Sequence, residues 1–163
     1  MTFRCIALIG ALSLASTSAV AASVPAAPTA VVKSFYAWVF ANPRSTWDRL
    51  SAAKPFLTPS FYALLSRVMP YEQRTHQEVL DADPFTDAQI ESSGVTVGAA
   101  VIKGSKATFG VAVRYPRSPA GGQVAVVLVE TAGGWRIDDL VGARGGSVRA
   151  ELTRAMAPSP AQR

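Results

Sequence analysis

The stretch from Gln123 to Gly142, QVAVVLVETAGGWRIDDLVG, constrains this chain more than any other. Two apolar runs flank a Gly-Gly turn and the second run opens on Trp135, the pattern of a β-hairpin. From Val124 to Val129 the first run is apolar on both faces, which predicts a central strand. A lone hairpin is marginal in water, so it needs neighbouring strands and a layer to cover it.

The neighbours lie just upstream, where the apolar period is 2. Val95, Val97, Ala99 and Val101 alternate with smaller residues and read as a first strand. Lys103–Lys106 turns the chain. In the second strand Phe109, Val111, Val113 and Tyr115 share one face, with Thr108, Gly110, Ala112 and Arg114 opposite. The small residues on that second face predict a close neighbour against it. Pro116 to Gly122 reads as a loop, followed by strands Gln123–Thr131 and Trp135–Val141.

Before Val95 the period is 3.6. Thr29 is a cap for a helix from Ala30 in which Val32, Phe35, Tyr36 and Val39 form a stripe, stopped by Asn42-Pro43. Aromatics nearly all round that helix imply burial on more than one side, or a partner. Thr46 caps a short helix, Trp47 to Ala53. Thr58-Pro59 starts another, in which Phe61, Leu64, Leu65 and Val68 form one face. Pro70 is expected to interrupt it, with a polar helix from Tyr71 to Leu80 carrying His76. A last short helix, capped by Ser147, repeats Val148, Leu152 and Met156.

The fold class that follows is α+β: N-terminal helices packed on a curved four-stranded antiparallel sheet, with a short C-terminal helix. The 163 residues suit one domain with a sizeable core. Its expected limits are 29–142, after a signal peptide over 1–21 and a linker over 22–28; residues 143–163 carry the last helix and a frayed tail. The signal reading rests on Arg4, the apolar Cys5–Val20 run and the small-x-small site Ala19-Val20-Ala21. The expected location is therefore periplasmic or secreted, with no transmembrane segment in the mature chain.

Cleavage there removes Cys5, the only cysteine, so neither a disulfide nor a thiolate site remains. It also removes Arg4, leaving 15 of the 16 basic side chains against 11 acidic ones, a net charge of +4. That is well short of a nucleic-acid footprint.

Three segments, VVKSFYAWVF, DADPFTDAQ and GWRIDDL, resemble the bacterial domain-of-unknown-function family 3828. The most specific is the DxDPFxxxQ segment of Asp81, Asp83, Pro84, Phe85 and Gln89. The resemblance implies an exported or lipid-anchored envelope protein of the nuclear transport factor 2-like (cystatin-like) cone fold. It brings no catalytic residues and no cofactor.

Asp81, Asp83 and Asp87 are carboxylates of the kind a hard cation takes, yet Thr86 and Ser92 break the EF-hand spacing. A structured turn is the simpler expectation, with aspartates capping amides and Phe85 pinning the loop to the core. Asp81, Asp83, Asp87, Gln89, Tyr36 and Tyr62 are the candidate contacts for a protein or small-molecule partner. Asp139 is the one weak catalytic candidate. Strict alternation would bury it in the cone as a general base of the ketosteroid isomerase type. A β-bulge at Asp138-Asp139 would instead turn both acids outward and bury Leu140, with Arg114 or Arg136 as ion-pair partners. His76 is expected at the surface. The function expected is a non-catalytic binding or interaction module, of which an immunity protein is one version. The alternatives are a small-molecule carrier or enzyme using the cone cavity, and a structural component that could pair as a homodimer through the sheet face.

Overall fold

The computed structural model describes residues 26–41, 46–116 and 118–157. The expected leader, most of the expected linker, the expected helix stop at Asn42-Pro43 and the expected tail from Pro158 fall outside the described residues. The described chain runs α1 (Pro28–Ala41), α2 (Thr46–Ala53), α3 (Pro59–Leu65) and α4 (Val68–Thr75). Then come β1 (Gly94–Lys103), β2 (Lys106–Tyr115), β3 (Ser118–Thr131), β4 (Gly134–Val141) and α5 (Val148–Ala155). The four strands form one antiparallel sheet in the order β1-β2-β3-β4. It is an α+β meander with the doubly apolar β3 inside the sheet.

One face of the sheet makes the core. Phe109, Val111 and Val113 of β2, Val124, Val126 and Leu128 of β3, and Ile137 and Leu140 of β4 are all buried. They join Val32, Phe35 and Tyr36 of α1, Phe61 and Leu65 of α3, and Leu152 of α5 in a single cluster. Phe35 sits at its centre, its ring 4.9 Å from Phe85 and 5.2 Å from Tyr36 in edge-on packing. The opposite face carries Thr108, Gly110, Ala112 and Arg114. A Cβ on Gly110 would meet nothing within 4 Å, so the close neighbour expected there is absent among the described residues.

Local chemistry explains the element ends, and it moves several of them from where the pattern put them. Helix α1 begins at Pro28 rather than after Thr29, since proline suits a first turn whose amide has no helical partner. The Thr58 hydroxyl accepts the Phe61 amide at 3.2 Å and caps α3 as expected. That helix stops at Leu65, before Pro70. Pro70 instead occupies the first turn of α4, where its missing N–H breaks nothing. His76 closes α4 in the left-handed conformation (φ 56°), so no helix continues to Leu80.

A bulge between Val97 and Ala100 changes the reading of β1. Ala100 takes the inward place opposite Phe109, and Val101 turns outward at 59% exposure. Strict alternation had put Val101 beside Val97. β3 also begins earlier, at Ser118, so most of the expected Pro116–Gly122 loop is strand. Gly121 (φ 61°) is the reason the chain can bend there without a break.

Candidate functional site

The DADPFTD segment folds as a turn bridged by backbone bonds between Asp83 and Ala88. Asp83 organises it. Its Oδ1 accepts the amides of Phe85 (2.9 Å) and Thr86 (3.1 Å) and the Thr86 hydroxyl (3.2 Å), while Oδ2 accepts the Thr46 hydroxyl of α2. These bonds drive Phe85 into the core, where the Tyr36 hydroxyl donates to its carbonyl at 3.0 Å. Burial, and then the nearby Asp83 charge, push the Tyr36 hydroxyl far above its ordinary value, so it stays a neutral donor. The amide-capping role of the aspartates and the anchoring role of Phe85 are both present.

Asp87 faces the other way, in the left-handed conformation (φ 51°). Its Oδ2 accepts the Ala143 amide at 3.0 Å, tying the turn to the loop that leaves β4. Tyr115 donates to the Thr86 carbonyl at 3.2 Å, and burial followed by the Asp87 charge raises its pKa too. Gln89 reaches Asp81 at 3.5 Å.

Between this turn and the β4–α5 loop lies a cleft of about 410 Å³. Glu78, Asp81, Asp83 and Asp87 stand on one side. Arg144 and Glu151 stand on the other, with Val79, Leu80, Leu140 and Val148 as apolar wall. A shallower depression of about 560 Å³ continues past Gln89 and Tyr115, and shares Asp81, Asp87 and Arg144. Three of the acids, Glu78, Asp81 and Glu151, have exposed side chains, and of these Asp81 accepts only the long bond from Gln89. Glu78, Glu151 and Arg144 were not among the expected contacts. Glu78 leads directly into the turn, whereas Arg144 and Glu151 lie far from it in sequence and reach it through the return of the chain after β4.

The six expected contacts do not form one site. Asp81, Asp83, Asp87 and Gln89 share the cleft and its continuation. Tyr36 lies behind them in the core, and also floors a groove on the far side of α1. Tyr62 stands apart on α3, with the Lys54 ammonium 5.6 Å from its ring centre. Among the described residues no group of three or more His, Cys, Asp and Glu side chains could hold a metal ion.

Asp138 and Asp139 resolve as a bulge: Asp139 pairs with Val127 and Ile137 with Leu128, leaving Asp138 as the extra residue. Leu140 is thereby fully buried. Asp139 is a capping group at the start of α5. Its Oδ1 accepts the Arg149 amide (2.9 Å) and the Leu140 amide (2.8 Å), and its Oδ2 the Ser147 hydroxyl (2.6 Å). The general-base geometry required an inward carboxyl beside a cavity, and these bonds direct it to the helix instead. Asp138 pairs with Arg149 at 2.5 Å rather than with Arg114 or Arg136, and accepts the Thr58 hydroxyl at 2.7 Å. Arg149 is half-buried over the Phe61 ring. His76 is exposed, as expected.

No family model, curated protein or solved structure matches the chain. No helix among the described residues is long and apolar enough to cross a membrane.

Proposed function

We propose that the protein is an exported, non-catalytic binding module that engages a basic segment of a partner protein through the cleft beside the DADPFTD turn. The observation that carries this reading is the division of labour among the cleft's acids. Asp83 and Asp87 are consumed in fixing the turn and the β4–α5 loop. Glu78, Asp81 and Glu151 are left facing solvent, and Arg144 is the one cation among the described residues that line the cleft. A rigid cleft with an uncommitted negative rim and an aliphatic wall suits a lysine- or arginine-bearing segment, whose alkyl stems lie on the wall. The export half of the proposal rests on residues 1–21, and the resemblance to family 3828 and its cone fold supports the same placement.

Catalysis is the weaker reading, because Asp139 spends its lone pairs on capping α5 and does not line the cleft.

A photo-crosslinking residue placed at Asp81, with one at Thr108 on the opposite sheet face as control, tests the binding half in cells. A discrete protein adduct from position 81 alone is expected, and it should vanish when Glu78 and Glu151 are changed to lysine. Adducts of equal yield from both positions, or none, would overturn the proposal. The export half requires an amino terminus just after Ala21 on protein recovered from the extracytoplasmic fraction.

A further inference from the structure

We infer that the groove between α1 and the free edge of β1 accepts a short extended peptide, which adds to the sheet as a fifth strand. The site is separate from the acidic cleft. β1 is the first strand of the sheet and, among the described residues, pairs with β2 alone. Its other edge faces a groove of about 360 Å³. Lys33, Tyr36, Ala37 and Phe40 line the helix side, and Val95 and Val97 the strand side. The four helix positions have the i, i+3, i+4, i+7 spacing of one face. Tyr36, at the edge of the core stripe, joins Ala37 and Phe40 in an apolar strip along the groove, with the charged Lys33 at its end.

Three features select an extended peptide. An unpaired strand edge offers its N–H and C=O groups in series, and only another extended backbone satisfies them in register. The wall opposite is apolar and close, so every second side chain of an added strand would enter it, as the period of 2 requires. Phe40 is half-buried there, stacked on Tyr36 with ring centres 6.4 Å apart, and forms a firm side to the groove.

Length and charge follow from the same geometry. The bulge at Gly98-Ala99 breaks the regular edge after Val97, so pairing is confined to about Ser93–Val97 and the occupant to four or five residues. The bulge also keeps the longer edge from pairing indiscriminately. Lys33 is exposed on the groove and makes no ion pair with a described residue. The occupant therefore carries small or β-branched apolar side chains at alternate positions and a carboxylate to meet Lys33.

The probe is a fluorescently labelled pentapeptide that alternates valine with threonine and ends in glutamate with a free carboxyl group. Anisotropy should report saturable binding to the full chain at or below roughly 1 mM, with amide shifts confined to Ser93–Val97 and α1. N-methylation of one alternate set of probe amides should weaken binding about tenfold or more, the loss of one good hydrogen bond. Methylation of the other set should leave it within about twofold. Lys33→Glu and Ala37→Arg, both on the exposed side of the helix, should each weaken it, the second by filling the groove. If Ala37→Arg fails to fold, Lys33→Glu and the methylated probes still decide. Absence of binding at that concentration, or equal loss from both methylation patterns, overturns the inference. A dimer in sedimentation that excludes the probe and is broken by Lys33→Glu would assign the edge to a second copy of the chain, and overturns it equally.

Discussion

A methyl group on Gly142 would sit 2.6 Å from Oδ2 of Asp87, nearer than a side-chain carbon can come. The same oxygen accepts the Ala143 amide at 3.0 Å, so turn and loop touch through one carboxylate, with no space beside it. Gly142→Ala should therefore displace the Asp87 carboxylate and cost about 1 kcal/mol, the worth of the Ala143 bond it breaks. Asp87→Gly removes the obstructing group and suits the left-handed backbone at that position. In that background the cost of Gly142→Ala should fall by at least about 0.5 kcal/mol in urea denaturation. An equal cost in both backgrounds would mean that the contact is not the cause.

The bonds from Asp139 to the Arg149 amide and the Ser147 hydroxyl make it part of the cap of α5. Asp139→Ala should cost about 1–2 kcal/mol, the usual worth of a cap. Asp139→Asn should cost less, because the amide oxygen still accepts from the backbone. Hydrogen exchange gives the local reading. The amides of Arg149 and Ala150 should exchange faster in the alanine variant, with those of β2 and β3 unchanged. Uniform acceleration across the sheet would point to a global role.

How much of this was legible beforehand depended on whether one periodicity or several contacts decided the outcome. The meander, the inner position of β3 and the caps at Thr58 and Ser147 are local patterns, and each is present. Leu140 forced the Asp138-Asp139 bulge, because an aliphatic side chain gains more from burial than an aspartate does. The bulge in β1 carried no such signal. Gly98 and Ala99 read as ordinary alternation, and only the close approach of Gly98 to the Gly110 carbonyl (2.9 Å from an added Cβ) marks the place. The partner of Asp138 was missed for a related reason: Arg114 and Arg136 were the expected partners, while Arg149 of α5 makes the pair and also reaches Thr58, 91 residues away in sequence.

Tyr36 couples stability to alkaline pH. Its hydroxyl ordinarily ionises near 10.0, and burial with the Asp83 charge raises that value in the folded chain. Between the ordinary and the raised value the unfolded chain has lost this proton and the folded chain keeps it. Stability is thus fully present below pH 10 and falls as pH rises beyond it, by up to about 1.4 kcal/mol per pH unit. Tyr36→Phe should flatten that decline while costing about 1 kcal/mol at neutral pH, since the Phe85 carbonyl loses its donor. Tyr115, raised in the same direction, leaves a smaller residual slope in the variant. Identical slopes for both proteins from pH 10 upward would contradict this account.

Arg149 is held by geometry more than by charge. Its guanidinium pairs with Asp138 at 2.5 Å, bonds the Asp138 carbonyl through Nε at 2.8 Å, reaches Thr58 and Ser60 at 3.3 Å each, and lies 5.3 Å from the Phe61 ring centre. The two side chains of the ion pair are 27% and 29% exposed, so water screens their attraction and the pair alone contributes on the order of 0.5–1 kcal/mol. A planar fork makes the remaining contacts at once, and an ammonium cannot. Arg149→Lys should therefore lose most of the stability that Arg149→Ala loses, about 1–3 kcal/mol. Asp138→Asn, which leaves the Thr58 and carbonyl contacts in place, should cost under about 1 kcal/mol. Raising the salt concentration should shrink the Asp138→Asn effect and leave the Arg149→Lys effect nearly intact. If lysine at 149 restored wild-type stability in low salt, charge alone would be holding α5 to the sheet, and the fork would have no part in it.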